Sequence, residues 1–134
     1  MKYACLVYLK EAEINALSQG EWDALNNECM AFGETSVGSV EHLGGEALEP
    51  THTATTVRVR NGKVTTMDGP FAETKEQLAG FYEIEAKDLD EAIAFASRIP
   101  PARYGTIEIR PLRTLVAEGN TRLGGGIGRW STRG

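Results

Sequence analysis

The sequence is short of cysteine and histidine, has no long apolar run, and holds fewer basic than acidic residues. Each shortage excludes something. Its two cysteines, Cys5 and Cys29, lie in apolar surroundings without the paired spacing of a thiolate metal site, so buried reduced thiols are expected. The two histidines, His42 and His52, match no metal-ligand spacing, although Glu46, Glu49 and Asp68 lie near them in the chain. No metal and no cofactor are therefore expected. The apolar run between Lys2 and Lys10 is too short for a signal-peptide core or a membrane span, which predicts a cytoplasmic protein with no membrane partner. Fourteen basic against nineteen acidic residues leave a net charge of −5, a poor match to nucleic acid. No G-x-S-x-G, H-E-x-x-H or Walker-type string occurs, so the common hydrolase and kinase chemistries have no support.

What is present suits one globular domain. The 134 residues are 41% hydrophobic and 25% charged, enough to bury a core without disulfides or metal. Residues 2–9 (KYACLVYL) are apolar on both faces and read as a central strand. A helix follows, capped by Ser18, with Trp22, Leu25, Cys29 and Phe32 on one stripe. A second strand is expected within His42–Leu48. ATTVRVR, Asn61-Gly62 and KVTTM then read as a hairpin, because a type I′ turn needs positive φ at both central residues. Another strand spans Gly80–Ala86, with Tyr82, Ile84 and Ala86 opposite Phe81, Glu83 and Glu85. In DLDEAIAFASRI, Asp88 caps a helix, Glu91 takes the capping-box position, and Leu89, Ala92, Ile93 and Ala96 form its buried stripe. Residues 105–111 close the pattern as a strand with Ile107 and Ile109 inward.

The order β-α-β, hairpin, β-α-β predicts an α+β, ferredoxin-like domain with an inserted β-hairpin. The expected boundaries are residues 1–112 for the domain and 113–134 for a Gly/Arg-rich tail, flexible unless Leu123, Ile127 and Trp130 dock on a partner subunit. Helices on one face would leave Glu83, Glu85, Glu108, Arg110, Arg58 and Arg60 on the other, beside Leu6 or Tyr8. Apolar groups on that face favour covering it with a second copy, giving a homodimer.

MDGPFAETKEQLAGFYEIE (67–85) is the best local candidate for a site. Asp68 before Gly69-Pro70 can hold a turn, and Pro70 can open a short helix with Glu73 and Gln77 on one side. Asp68, Glu73 and Lys75 are the candidate catalytic groups, placing two acids and an ammonium beside an aromatic. Arg58, Phe71, Thr74 and Tyr82 are the candidate substrate contacts. Bracing of the hairpin is the competing, purely structural role.

DGPFAETKEQLAGFYEIE, with TATTVRVRNGKV before it and DLDEAIAFASRIP after it, resembles the DGPF-type branch of the YCII-related domain family over residues 1–112. The resemblance implies a ferredoxin-like subunit that pairs, sheets facing, into a dimeric α+β barrel around a small-molecule ligand. It also implies enzymatic activity, since many relatives carry a histidine on the first helix and an aspartate after the second; for the charged stretch here the expected chemistry is proton transfer, isomerisation or elimination without a metal. Here GEWDALNNECMAFGE has no histidine and SRIPPARYG no aspartate, so that pair is not carried over. Genes of this branch lie beside extracytoplasmic-function sigma factors, which implies a non-catalytic sensing or accessory module as the alternative, with a sigma factor as possible partner.

Overall fold

A computed structural model describes residues 1–120, 122 and 123. Strands β1 (Lys2–Leu9), β2 (Glu41–Ala47), β5 (Gln77–Glu85) and β6 (Thr106–Pro111) form one antiparallel sheet in the order β2-β5-β1-β6. Helices α2 (Gln19–Phe32) and α3 (Leu89–Ala96) complete two split β-α-β halves, each skipping over a strand of the other half. This is the ferredoxin-like α+β plan. A short helix, α1 (Glu11–Ile14), bridges β1 and α2, while β3 (Thr55–Arg60) and β4 (Lys63–Asp68) form a separate two-stranded ribbon between β2 and β5.

Local chemistry accounts for the element ends. Ser18 accepts from the Glu21 amide at 3.1 Å while the Glu21 carboxylate accepts from the Ser18 amide at 2.9 Å, closing a capping box at the start of α2. Asp88 caps α3 through the Glu91 amide at 2.9 Å. The Glu91 carboxylate does not close a second box. It accepts instead from the Lys87 amide at 3.0 Å and the Ser39 hydroxyl at 2.6 Å, tying the approach to β2 onto α3. Asn61 and Gly62 have φ of 51° and 75°, as the two-residue turn requires.

The core lies between the sheet and the helices. Tyr3, Cys5, Val7 and Leu9 from β1 meet Phe32, Ile84, Ala92, Phe95, Ala96 and Ile99, with Ile107 and Ile109 packed against them. Cys5 is fully buried and burial pushes its thiol up to about 11, so it stays protonated at neutral pH. Cys29 is half-buried; burial raises its pKa, Glu28 adds to the rise and Arg103 opposes it.

The stripe on α3 is rotated from expectation. Ala92, Phe95 and Ala96 face inward, whereas Leu89 and Ile93 are about half exposed. Asp88 starts the helix so that Phe95 points at Phe32 and Tyr82, and that aromatic contact sets the rotation. Trp22 on α2 is likewise more exposed than its stripe suggests, with only Leu25 and Phe32 buried.

Candidate functional site

Register assigns the side chains of the open sheet face, away from the helices. Leu6 of β1 stands opposite Phe81 of β5 and Glu108 of β6, and Glu46 of β2 stands opposite Phe81 on its other side. Ala4 lies between Glu83 and Arg110, and Tyr8 between Leu78 and Thr106. The result is an apolar strip of Leu6, Tyr8, Leu78 and Phe81 with carboxylates on its margins. Leu6 and Tyr8 are half-buried, while Phe81 and Leu78 stay 37% and 38% exposed. Glu108 reaches Arg110 at 3.7 Å and Glu85 pairs with the N-terminal ammonium. Glu46 and Glu83 form no ion pair among the described residues.

Glu83, Glu85, Glu108 and Arg110 thus lie on this face as expected. Arg58 and Arg60 do not, because β3 belongs to the separate ribbon. Glu41 and Glu46 were not anticipated here. A bulge between His42 and Gly44 resets the alternation of β2, and a Gly-Gly step hides that reset from any period-2 pattern.

Glycines allow β2 and β5 to approach closely. A Cβ on Gly80 would stand 2.8 Å from the Glu46 carbonyl oxygen, and one on Gly45 would stand 2.5 Å from that of Phe81. These contacts hold Glu46 beside Phe81.

The stretch 69–76 is an irregular loop, with no helix opening at Pro70. Glu73 and Gln77 therefore do not share a helical face. Asp68 ends β4 opposite Thr55, and its carboxylate accepts no hydrogen bond among the described residues. The turn is held instead by the Gly69 amide donating to Ala54 O at 2.6 Å and by the Thr56 hydroxyl donating to Gly69 O at 2.8 Å, with Gly69 at φ 94°. Further along, the Thr74 hydroxyl donates to Glu76 O at 2.5 Å and the Gln77 amide to Thr74 O at 2.7 Å. The Gln77 carbonyl accepts from the Glu11 amide at 2.9 Å, and the Glu11 carboxylate accepts from the Thr51 hydroxyl at 2.7 Å. This chain of bonds fastens both roots of the ribbon to the end of β1.

Asp68, Glu73, Thr74 and Lys75 are all exposed, and Phe71 is 74% exposed. No ion pair or hydrogen bond joins the side chains of Asp68, Glu73 and Lys75 among the described residues. Arg58 is exposed on the ribbon. Tyr82 stands on the opposite, helix-facing side of the sheet, its ring 5.8 Å from both Phe32 and Phe95, and burial raises its pKa. The single chain thus places Glu73, Thr74 and Lys75 in the loop that follows Asp68 at the end of β4, but sets Tyr82 apart from them.

His42 is not a loop residue. It lies on β2 with its ring 5.3 Å from Tyr82 and 6.1 Å from Phe95, at the edge of the aromatic cluster. His52 is exposed in the 3-10 turn Thr51–Thr53. Among the described residues no three His, Cys, Asp or Glu side chains converge as a cation site, and no helix is long and apolar enough to cross a membrane. Leu123 is exposed, while Ile127, Arg129, Trp130 and Arg133 of the tail lie outside the described residues.

The family model described as "YCII-related domain" matches residues 1–116. The chain is also 43% identical, over 115 residues, to an uncharacterized protein of Rhizobium meliloti (strain 1021), a match covering 84% of this chain and 92% of that protein.

Proposed function

We propose that this chain, which belongs to the YCII-related domain family, binds a small molecule in a space enclosed when the open sheet faces of two copies meet. The observation that carries this reading is the strip of Leu6, Tyr8, Leu78 and Phe81 opposite the helices, apolar at its centre and uncovered among the described residues. Burial yields roughly 25 cal/mol per Å² of apolar surface, so a second copy laid over the strip gains stability from the centre of the face. The acids at its margins gain least from being buried, and they leave room for a ligand between the sheets.

Glu46 and Glu83 supply the chemistry on that face. Within the enclosed space Glu46, beside Phe81, serves as the base for proton transfer, isomerisation or elimination on a ligand with an apolar body, without a metal. Asp68, Glu73 and Lys75 add solvated charges at the end of the sheet, with Phe71, Thr74 and Arg58 as further contacts.

Sedimentation equilibrium with Phe81→Glu tests the reading, combined with thermal-shift screening against a library of small carboxylic, aromatic and amine metabolites. The wild type should be dimeric and stabilised by some members of the library. Phe81→Glu should raise the dimer dissociation constant by about 100-fold, equivalent to roughly 3 kcal/mol, and abolish the ligand shift while far-UV circular dichroism stays unchanged. A monomeric wild type at any concentration would overturn the reading. A wild type that answers no ligand but retains an extracytoplasmic-function sigma factor would favour the accessory-module alternative.

A further inference from the structure

The β3–β4 ribbon has two faces, neither covered by another element among the described residues. Pairing of Val57 with Thr66 and of Val59 with Val64 puts three valines on one face, and they are 58%, 56% and 62% exposed for Val57, Val59 and Val64. Arg58, Arg60 and Lys63 lie on the other face, with no ion pair among the described residues. Apart from the half-buried Thr56, every residue of the two strands is exposed. A two-stranded ribbon standing alone in water is marginal, and its free edges and apolar face invite a partner. Yet this one is not loosely attached: Thr56, Gly69, Thr51, Glu11 and Gln77 bolt its roots to the main sheet.

Charge points to what the ribbon meets. It holds three of the fourteen basic residues and one of the nineteen acids, so it is net +2 while the rest of the chain is net −7. The surface most attractive to it, given this sequence, is the body of another copy. Magnitudes decide which face docks. Exposed ion pairs contribute little because solvent screens them, whereas covering three neighbouring valines removes contiguous apolar surface from water.

We propose that in the dimer each ribbon is an arm that lies across the second copy, valine face inward, and closes one mouth of the space between the sheets. The inference rests on the facing-sheet reading and deepens it, since Val57, Val59 and Val64 become walls of the partner's site. Arg58, Arg60 and Lys63 reach round the narrow ribbon on their long stems to the partner's acidic margin. The arms are exchanged reciprocally, so the arrangement closes with two-fold symmetry.

Hydrogen–deuterium exchange on the full chain tests this, comparing the wild type with monomeric Phe81→Glu and with Val57→Asp/Val59→Asp. Cross-strand amides of residues 55–68 should be at least 10-fold better protected in the wild-type dimer than in the Phe81→Glu monomer. Val57→Asp/Val59→Asp should lose that protection and weaken dimerisation by at least 10-fold, and it should bind any ligand found for the wild type less tightly. Equal ribbon protection in dimer and monomer would assign the cover to the same chain, residues 124–134 included, and overturn the proposal. So would an undiminished dimer of Val57→Asp/Val59→Asp, while leaving the facing-sheet reading intact. A wild type without any dimer would instead remove the facing-sheet reading on which the arm depends.

Discussion

The chain builds two antiparallel β assemblies with opposite fates. In the four-stranded sheet, β1 is buried to 1% at Tyr3, 0% at Cys5 and 4% at Val7, whereas the ribbon leaves its valines more than half exposed. Both are antiparallel, and both are rich in β-branched or aromatic residues. The difference lies in what stands over them. Phe32 and Phe95 come down from α2 and α3 onto one face of the sheet, and no helix reaches the ribbon among the described residues. Alternation marks a strand with a face to bury, but it does not say whether the cover comes from the same chain.

The comparison can be broken most forcefully at one aliphatic side chain in each assembly. Ile84, fully buried opposite Tyr3, should cost about 2–5 kcal/mol on Ile84→Ala by chemical denaturation. In the monomeric Phe81→Glu background, Val59→Ala should cost no more than about 0.5 kcal/mol, because an exposed side chain loses little on truncation. Similar losses at the two positions would mean that the ribbon is packed within its own chain.

Glycines give a smaller contrast. Gly80→Val would force a side chain against the Glu46 carbonyl and should destabilise the whole domain by about 1–3 kcal/mol, loosening β2 from β5. Gly62 has open space around it but a φ of 75°, so Gly62→Ala meets only backbone strain of about 1 kcal/mol. Its effect should appear as faster amide exchange within residues 55–68, with no shift in the global melting temperature. A global shift with Gly62→Ala would show that the ribbon unfolds together with the body.

The smallest effect belongs to the helix layer and depends on pH. Hydrogen bonds from the Ser39 hydroxyl, then the Lys87 amide, hold the Glu91 carboxyl below its ordinary value of 4.5. A depressed folded-state pKa stabilises fully above the unfolded-state value and is lost as pH falls through the lower folded value. Glu91→Gln should therefore lower stability slightly at neutral pH and flatten the decline of the melting temperature below about pH 4.5. An acid limb unchanged by Glu91→Gln would show that Ser39 and Lys87 do not favour the charged carboxylate.

Much of the fold could be read directly. The limits of β1, the Ser18 and Asp88 caps, the Asn61-Gly62 turn and the inward faces of β5 and β6 each follow from a short local pattern. Other readings failed, among them the buried stripe of α3 and the helix at Pro70. Leu89 and Ile93 fit the helical period of α3 as well as Phe95 does, and only the aromatic cluster with Phe32 and Tyr82 selects the face. Pro70 suits a helix start, but the Gly69 amide is engaged by Ala54 O and the Thr74 and Gln77 side chains bond to nearby carbonyls, leaving an irregular loop there.

The candidate site was less legible. The conspicuous charges of Asp68, Glu73 and Lys75 are exposed and unpaired among the described residues. The less conspicuous Glu46 was brought beside Phe81, and onto the same face as Leu6, by a bulge that the local pattern does not display.

By itself the sequence determined the main strands and helices, the caps of α2 and α3 and the ferredoxin-like order, because caps, turns and alternation act over a few residues. Only the tertiary structure decided that Glu41 and Glu46 join the open face, that Arg58 and Arg60 stay off it on the separate ribbon, and which face of α3 turns inward. Those outcomes depend on strand register and on helices far away in the chain, and a one-residue shift in register exchanges every side chain between the two faces.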